Sequence, residues 1–327
     1  LYKQALDQGA TRTSQDIACL AYTLQQLFYN GVDAKQPLVL ISLVRAGLPI
    51  GVLLQRALTD KDSAYHLSSV HYGISIIRDR GIDFAALHAI IDQHGAENIV
   101  FVDGWTGKGA ICRELTQNLA DYPALFDPGW DIPRLVTLAD LGGYSWLSAS
   151  CEDWLIPFGI LGSVISGLIS RTILKDTIDF DLAKKNCYDP NNWHSCLVYQ
   201  HLAQHDISVD FTDKILNIIN QNPSTNLSHW NNHIRLKQQK ICLDTITWIS
   251  DIYNIKNINR IKPSIAEATR AVLRRIPERI LIRDPSNPHV QLLLHFAKEQ
   301  NIPVDILGAK LGPYHAVTLI KKVEKNK

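Results

Sequence analysis

Ile99-Val100-Phe101-Val102-Asp103-Gly104-Trp105-Thr106-Gly107-Lys108-Gly109-Ala110 decides the fold class. An apolar run ends in a carboxylate, a Thr-Gly-Lys-Gly turn follows, and a helix-like pattern continues through Ala120. A buried parallel strand reads as a continuous apolar run, and open α/β sheets place their ligands at the loops leaving the carboxyl ends of such strands. The glycines let the backbone close on phosphate oxygens, the helix that follows offers unpaired N–H groups, and Lys108 adds a point charge. The nucleoside-triphosphate loop G-x-x-x-x-G-K-[ST] is excluded, because Val102 stands at its first glycine and Gly109 at its hydroxyl residue. A tight strand-to-helix turn that uses its glycines for geometry alone is the competing reading.

A second unit has the same layout. Pro37–Ser42 is apolar, Leu43-Val44-Arg45-Ala46-Gly47 is a loop, and a helix runs from about Leu48 to Leu58. Two such loops, each with a cation and a glycine, suit a ligand that carries phosphate at both ends.

Ser42–Leu48 resembles the pyrophosphate loop of type I phosphoribosyltransferases, and Val102–Ala110 resembles their phosphoribosyl-pyrophosphate loop. The second match departs from the pattern: Gly104 takes the place of the second acidic residue, and the approach to Thr-Gly is shorter. Over nearly its whole length the chain resembles the StiP family, a phosphoribosyltransferase-like domain followed by a PELOTA-type RNA-binding domain. Leu138–Leu141, Ile165–Thr172 and Ile265–Arg270 carry that resemblance together with Val102–Ile111. The family bears the label cysteine protease and is linked to bacterial tellurium-resistance and stress gene clusters.

The resemblance implies an α/β fold: a type I phosphoribosyltransferase-like parallel sheet with a helical extension, then a small C-terminal α/β domain. It implies a glycosyltransferase that moves ribose 5-phosphate from phosphoribosyl pyrophosphate, or a related phosphosugar, to a base-like acceptor, with Mg2+ holding the pyrophosphate. In that scheme Asp103 contacts the ribose hydroxyls or the metal. Thr106, Gly107, Lys108 and Gly109 cradle the 5-phosphate, while Arg45, Ala46 and Gly47 hold pyrophosphate. A mobile loop over His71–Asp83 closes on the leaving group, which Arg78 and Arg80 neutralise; a self-compensated solvated turn is the alternative for Arg-Asp-Arg. Asp140 orients the acceptor or the metal, or serves as a cap. Two other functions stand beside the transferase: a non-catalytic sensor of a phosphoribosyl ligand coupled to RNA, and the cysteine protease of the family label.

Length and composition allow two domains, placed at 1–256 and 257–327 with the helical extension over about 184–256. The longest apolar stretch, Trp154–Leu168, is interrupted by Pro157, Gly159, Gly162 and Ser163 and reads as core, so no membrane partner is expected. With no secretory signal at its start, the sequence reads as cytoplasmic. Self-association is left open.

Charge is split along the chain. The total is 33 Lys and Arg against 32 Asp and Glu. Residues 251–327 hold fourteen basic against seven acidic side chains, so the earlier part is net acidic. A basic module fused to an acidic domain points to RNA, or to a basic domain that docks on the acidic one. Within it, helices are expected over Ser264–Arg275 and His289–Gln300, and strands over Arg279–Arg283, Asn301–Ile306 and Ala316–Ile320. Lys262, Arg270, Arg274, Arg283 and Lys310 are the candidate RNA contacts.

Cys151, Cys187 and Cys196 are the cysteines weighed as nucleophiles; none lies in a recognised catalytic-cysteine context. Cys187, His194, Cys196, His201 and His205 raise a zinc question, since His201 and His205 would share a face if their segment were α-helical.

Overall fold

In the computed structural model, which describes residues 2–29, 36–77, 80–172 and 193–321, the two apolar runs lie side by side. The chain runs through α1 (Tyr2–Phe28), β1 (Leu38–Val44), α2 (Leu48–Thr59), β2 (Ser69–Ile77), β3 (Gly81–Ile82) and α3 (Phe84–His94). It continues through β4 (Ile99–Thr106), α4 (Ala110–Asn118), β5 (Leu135–Asp140) and β6 (Leu147–Ser150). The strands form one sheet in the order β3-β2-β1-β4-β5-β6, parallel throughout except for the β2–β3 edge.

Alternation along the strands explains why both faces are covered. Leu38, Leu40, Val100 and Val102 join one core with Ile17, Leu24 and Leu54 from α1 and α2. Val39, Ile41, Ile99 and Phe101 join another with Leu87, Ile90 and Leu115 from α3 and α4. A strand buried on both sides carries no polar register, hence the unbroken apolar runs. The chain leaves β1 toward β2 on one side and β4 toward β5 on the other, so the loops after β1 and β4 face each other across a switch point. Their approach is close: a Cβ on Gly47 would lie 2.1 Å from the Val102 carbonyl oxygen.

The sequence places a mobile loop over His71–Asp83, and this is corrected by the structure. His71–Ile77 belongs to β2, which pairs with β1 residue by residue from Ser69 to Ser75, and Gly81–Ile82 turns back along its edge. Alternating β-branched residues and the β1 ladder hold this stretch as sheet.

Beyond β6 the described chain forms α5 (Pro157–Leu161), α6 (Ser208–Gln221) and α7 (Asn232–Ile252). A second unit follows: β7 (Ile261–Pro263), α8 (Ile265–Arg274), β8 (Pro277–Ile282), α9 (Gln291–Glu299), β9 (Val304–Ile306) and β10 (Ala316–Ile320). Its sheet order is β7-β10-β8-β9, with only β8 and β9 parallel. The whole is a mixed α/β protein with a parallel-rich sheet and a small C-terminal α/β unit. The two units share a core, in which Ile261, Ala266, Leu281, Val317 and Leu319 continue the cluster that holds Trp105, Val136 and Leu138. No helix among the described residues is long and apolar enough to cross a membrane.

Asp153, buried next to β6, accepts hydrogen bonds from the backbone N–H of Ile265 (2.9 Å) and of His315 (2.8 Å), tying the start of α8 and the approach to β10 to the first unit. Burial pushes its carboxyl up to about 7. Because the folded value lies above the unfolded one, the contribution of Asp153 is full at low pH and is lost as pH rises through about 7. The thermal midpoint is therefore expected to fall between about pH 4 and about pH 7 more steeply in the wild type than in Asp153→Asn, and equal slopes would rule this out. Gly47→Ala, forced against a backbone carbonyl, is expected to destabilise by about 1–3 kcal/mol or more in chemical denaturation; a neutral substitution would mean the two loops separate readily.

Candidate functional site

At the switch point lies a cavity of about 730 Å3. Its floor is Val44–Ala46 and Asp103–Cys112 from the two loops of the first sheet, and its opposite wall is α8, with Arg270, Arg274 and Arg275. Arg45, Ala46, Asp103, Thr106, Gly107, Lys108 and Gly109 thus come together as the two-loop pattern requires, with Lys262, Arg270 and Arg274 of the C-terminal unit added.

The glycine loop, however, spends much of its polar equipment on the protein itself. The Lys108 ammonium donates to the carbonyl oxygens of Ile258 and Ile261, the latter at 2.8 Å, and Tyr314 Oη donates to the Gly107 carbonyl at 2.8 Å. Thr106 Oγ1 donates to Asp140 and accepts from the Gly142 N–H at 2.9 Å. Asp140 is fully buried and also accepts from the N–H groups of Gly143 (2.7 Å), Tyr144 (2.8 Å) and Ser145 (2.5 Å). Its oxygens thus hold the turn that follows β5. Gly109, at φ +72°, opens α4, and a Cβ there would meet the Tyr144 ring at 2.2 Å. What the loop retains for a ligand is the first turn of α4, whose N–H groups have no carbonyl one turn earlier.

Arginines dominate the rest of the cavity. Arg45 and Arg171 come from the first unit, and Arg270, Arg274 and Arg275 from α8 and its end. No ion pair joins these five to an acid among the described residues. Arg45 donates to the Ile169 carbonyl at 3.2 Å, and the Arg270 guanidinium lies 5.4 Å from the centroid of Trp105. Burial lowers the Arg274 guanidinium below its usual range, and Arg270, Arg45, Arg171 and Arg275 lower it further by repulsion. Arg45 is lowered by burial in the same way, with Tyr199 opposing and Arg270 and Arg171 assisting. The guanidinium ends of Arg45 and Arg274 converge at Gly162, where an added Cβ would lie 3.0 and 3.1 Å from them. Like charges gathered in a half-enclosed space form a strong anion site. Of the other cations, Lys262 pairs with Glu267 at 3.6 Å, Arg283 donates to the Gly312 carbonyl at 2.8 Å, and Lys310 is exposed. Arg80 lies in the turn after β2, away from the cavity lining, and Arg78 lies outside the described residues.

Cys112, which the sequence reading passed over, lines the cavity in the first turn of α4. Its place three residues after Gly109 was the available signal. Burial, Asp140 and Asp103 push its thiol well above the usual range. Asp103 is buried, accepts from the Gly104 N–H at 2.7 Å, and has its carboxyl pushed up to about 6, chiefly by burial. Of the cysteines weighed from sequence, Cys151 is half-buried, Cys196 is exposed, and Cys187 lies outside the described residues. The described residues hold no group of three or more potential metal ligands. His201 and His205 lie in a 3-10 turn, Gln200–His205, in which residues four apart do not share a face, so the zinc expectation is not carried by the described part of that segment.

The fold and cavity define an α/β protein with a cationic pocket at a sheet switch point, closed by a basic C-terminal unit. A family model described as "Tellurite-like stress resistance cysteine protease StiP" matches residues 1–216, and a PELOTA RNA binding domain model matches residues 240–322. The chain belongs to the StiP family. It is 47% identical over 327 residues to a protein of Acinetobacter baylyi named "Cysteine protease StiP", covering 99% of this chain and 81% of that protein. These names overturn the expectation of a glycosyltransferase acting on phosphoribosyl pyrophosphate, since family and relative alike are described as cysteine proteases.

Lys108→Met, which removes two bonds from a charged donor across the seam, is expected to cost about 1.5–3 kcal/mol per bond lost at most and to speed amide exchange in β7 and α8. Unchanged exchange there would place the seam elsewhere.

Proposed function

We propose that the switch-point cavity is the working site, that its ligand is anionic, and that the cysteine chemistry in the family's description acts there through Cys112. The observation that carries this is the convergence of Arg45, Arg171, Arg270, Arg274 and Arg275 on one space that Cys112 also lines. Arginine forks match phosphate or carboxylate groups, and mutual repulsion among the five is relieved when an anion enters. Cys112 stands in the first turn of α4, near a helix N-terminus, and lines the cavity that the five arginines also line, although the side chain itself is buried. In the ligand-free cavity the thiol stays protonated. Asp103 lines the same cavity and is the proposed acceptor of its proton once a ligand is bound. Attack of Sγ on an acyl carbonyl then gives a thioester and releases the amine, which regains that proton, and water frees the acid and the thiol.

The order β3-β2-β1-β4-β5-β6 and the paired loops support a phosphoribosyltransferase-type scaffold for the first sheet, as a reading of fold and not of reaction. The division near residue 256 is part of the same proposal, with the family-model matches leaving 217–239 between them. Two carboxylates line the cavity, Asp103 and Glu267, the second paired with Lys262, and both stand among five arginines, so the residues present do not fit a resident Mg2+.

Alkylation by iodoacetamide, followed at Cys112 by mass spectrometry, tests the site. Tripolyphosphate is expected to alter the rate at least several-fold in the wild type and to have no effect in the Arg45→Ala/Arg274→Ala double variant. Peptide hydrolysis is expected to vanish in Cys112→Ala. Activity that survives Cys112→Ala but is lost in Cys187→Ala would overturn the choice of nucleophile, and tripolyphosphate without effect on the wild type would overturn the anion site.

A further inference from the structure

We infer that the cavity receives the phosphorylated end of a single-stranded RNA, gripped by both units together rather than on an outer face of the C-terminal one. This rests on the anionic-ligand reading and names the ligand's class.

The arginines of α8 are the first observation. The unit matched as RNA-binding begins at residue 240, and Arg270, Arg274 and Arg275 within it line the cavity and so face the first unit. Arg283, by contrast, is occupied by the Gly312 carbonyl. Arg274 and Arg275 are also exposed, so RNA that engages all three α8 arginines meets them at the mouth of the cavity.

Size and charge narrow what can enter. A space of about 730 Å3 is that of a small-molecule pocket, which admits a nucleotide or a strand end but not a helix. Five arginines around it favour a terminal phosphomonoester, with nearly two negative charges, over an internal diester with one. Beside Gly162 the guanidinium ends of the two units, Arg45 from one and Arg274 from the other, come together on the cavity lining, and a terminal phosphate in the cavity next to them bridges the two.

Aromatic faces supply the third element. Tyr199 lines the same cavity, and beside it the Arg270 guanidinium lies over the buried Trp105 ring, so the planes open to a base are those of Tyr199 and Arg270. Bases of unpaired strands stack on tyrosine, tryptophan and arginine planes regardless of sequence. Tyr199 is brought there by pairing of Ile169 with Val198 and by the bond from the Tyr199 N–H to the Leu168 carbonyl at 2.9 Å, which set it beside Arg171.

Fluorescence anisotropy with hexaribonucleotides ending in 5′-phosphate, 3′-phosphate or hydroxyl groups tests the inference on the full chain. One phosphate-ended strand is expected to bind about tenfold or more tightly than the hydroxyl-ended one, with tripolyphosphate competing. Arg45→Ala and Tyr199→Ala, both outside residues 240–322, are each expected to erase that preference, while Lys298→Ala, on the exposed side of α9, retains it; thermal midpoints near the wild-type value confirm that the variants fold. Equal binding of all three strands, or binding indifferent to Arg45→Ala in a folded variant, would overturn the inference. Tripolyphosphate bound without competition from RNA would overturn it and leave the anion site standing. Failure of tripolyphosphate to bind at all would overturn both.

Discussion

The bonds from the Lys108 ammonium to the carbonyls of Ile258 and Ile261 are what the rest of the site depends on. They fasten the loop after β4 to the entry of the second sheet, and Tyr314 repeats the link through the Gly107 carbonyl. With α8 held opposite the loop, its arginines line the cavity at the carboxyl ends of β1 and β4, where Arg274 and Arg275 also meet solvent. A charged donor in a buried setting makes this link costly to break, because both carbonyls and the ammonium would lose their partners together.

Much of the fold was legible from sequence, for a physical reason. Strands buried on both faces must be apolar throughout, so Pro37–Ser42 and Ile99–Val102 announced β1 and β4, and glycine after each strand marked a turn that returns the chain to a helix. In the C-terminal part, Ala316–Ile320 was read to the residue as β10, and Ser264 with Glu267 three residues on marks the start of α8, where the Ser264 hydroxyl accepts from the Glu267 N–H. β7 was missed because three residues carry no period. The loop expected over His71–Asp83 followed from the resemblance, whereas the alternation of Ile74 and Ile76 within it is the signal of the strand that the structure has there.

The candidate site was legible in outline only. That Arg45, Asp103 and the glycine loop meet follows from topology, since switch-point loops converge. That Lys108, Thr106 and Asp140 bond to the protein does not, because the partners Ile258, Ile261 and Gly142–Ser145 are chosen by packing. Tyr199 and Cys112 carried no motif, and Arg171 stood within Ile165–Thr172 with no role attached to it. A lysine between glycines has the same local signature whether it meets a phosphate or two backbone carbonyls, and the transferase expectation drew on that ambiguity before the relationship to cysteine-protease-named proteins corrected it.

The apolar core that runs from Val136 and Leu138 through Trp105 to Ala266 and Val317 has a consequence for how this chain is used as a gene product. Two sheets that share one interior do not behave as beads on a string. Cutting between α7 and β7 would leave each half with a greasy wound where its neighbour had been, so the RNA-binding-type unit of this chain is an organ of the whole rather than a cassette that travels alone. Sequence change on either side of that interior is accordingly constrained by both sides at once.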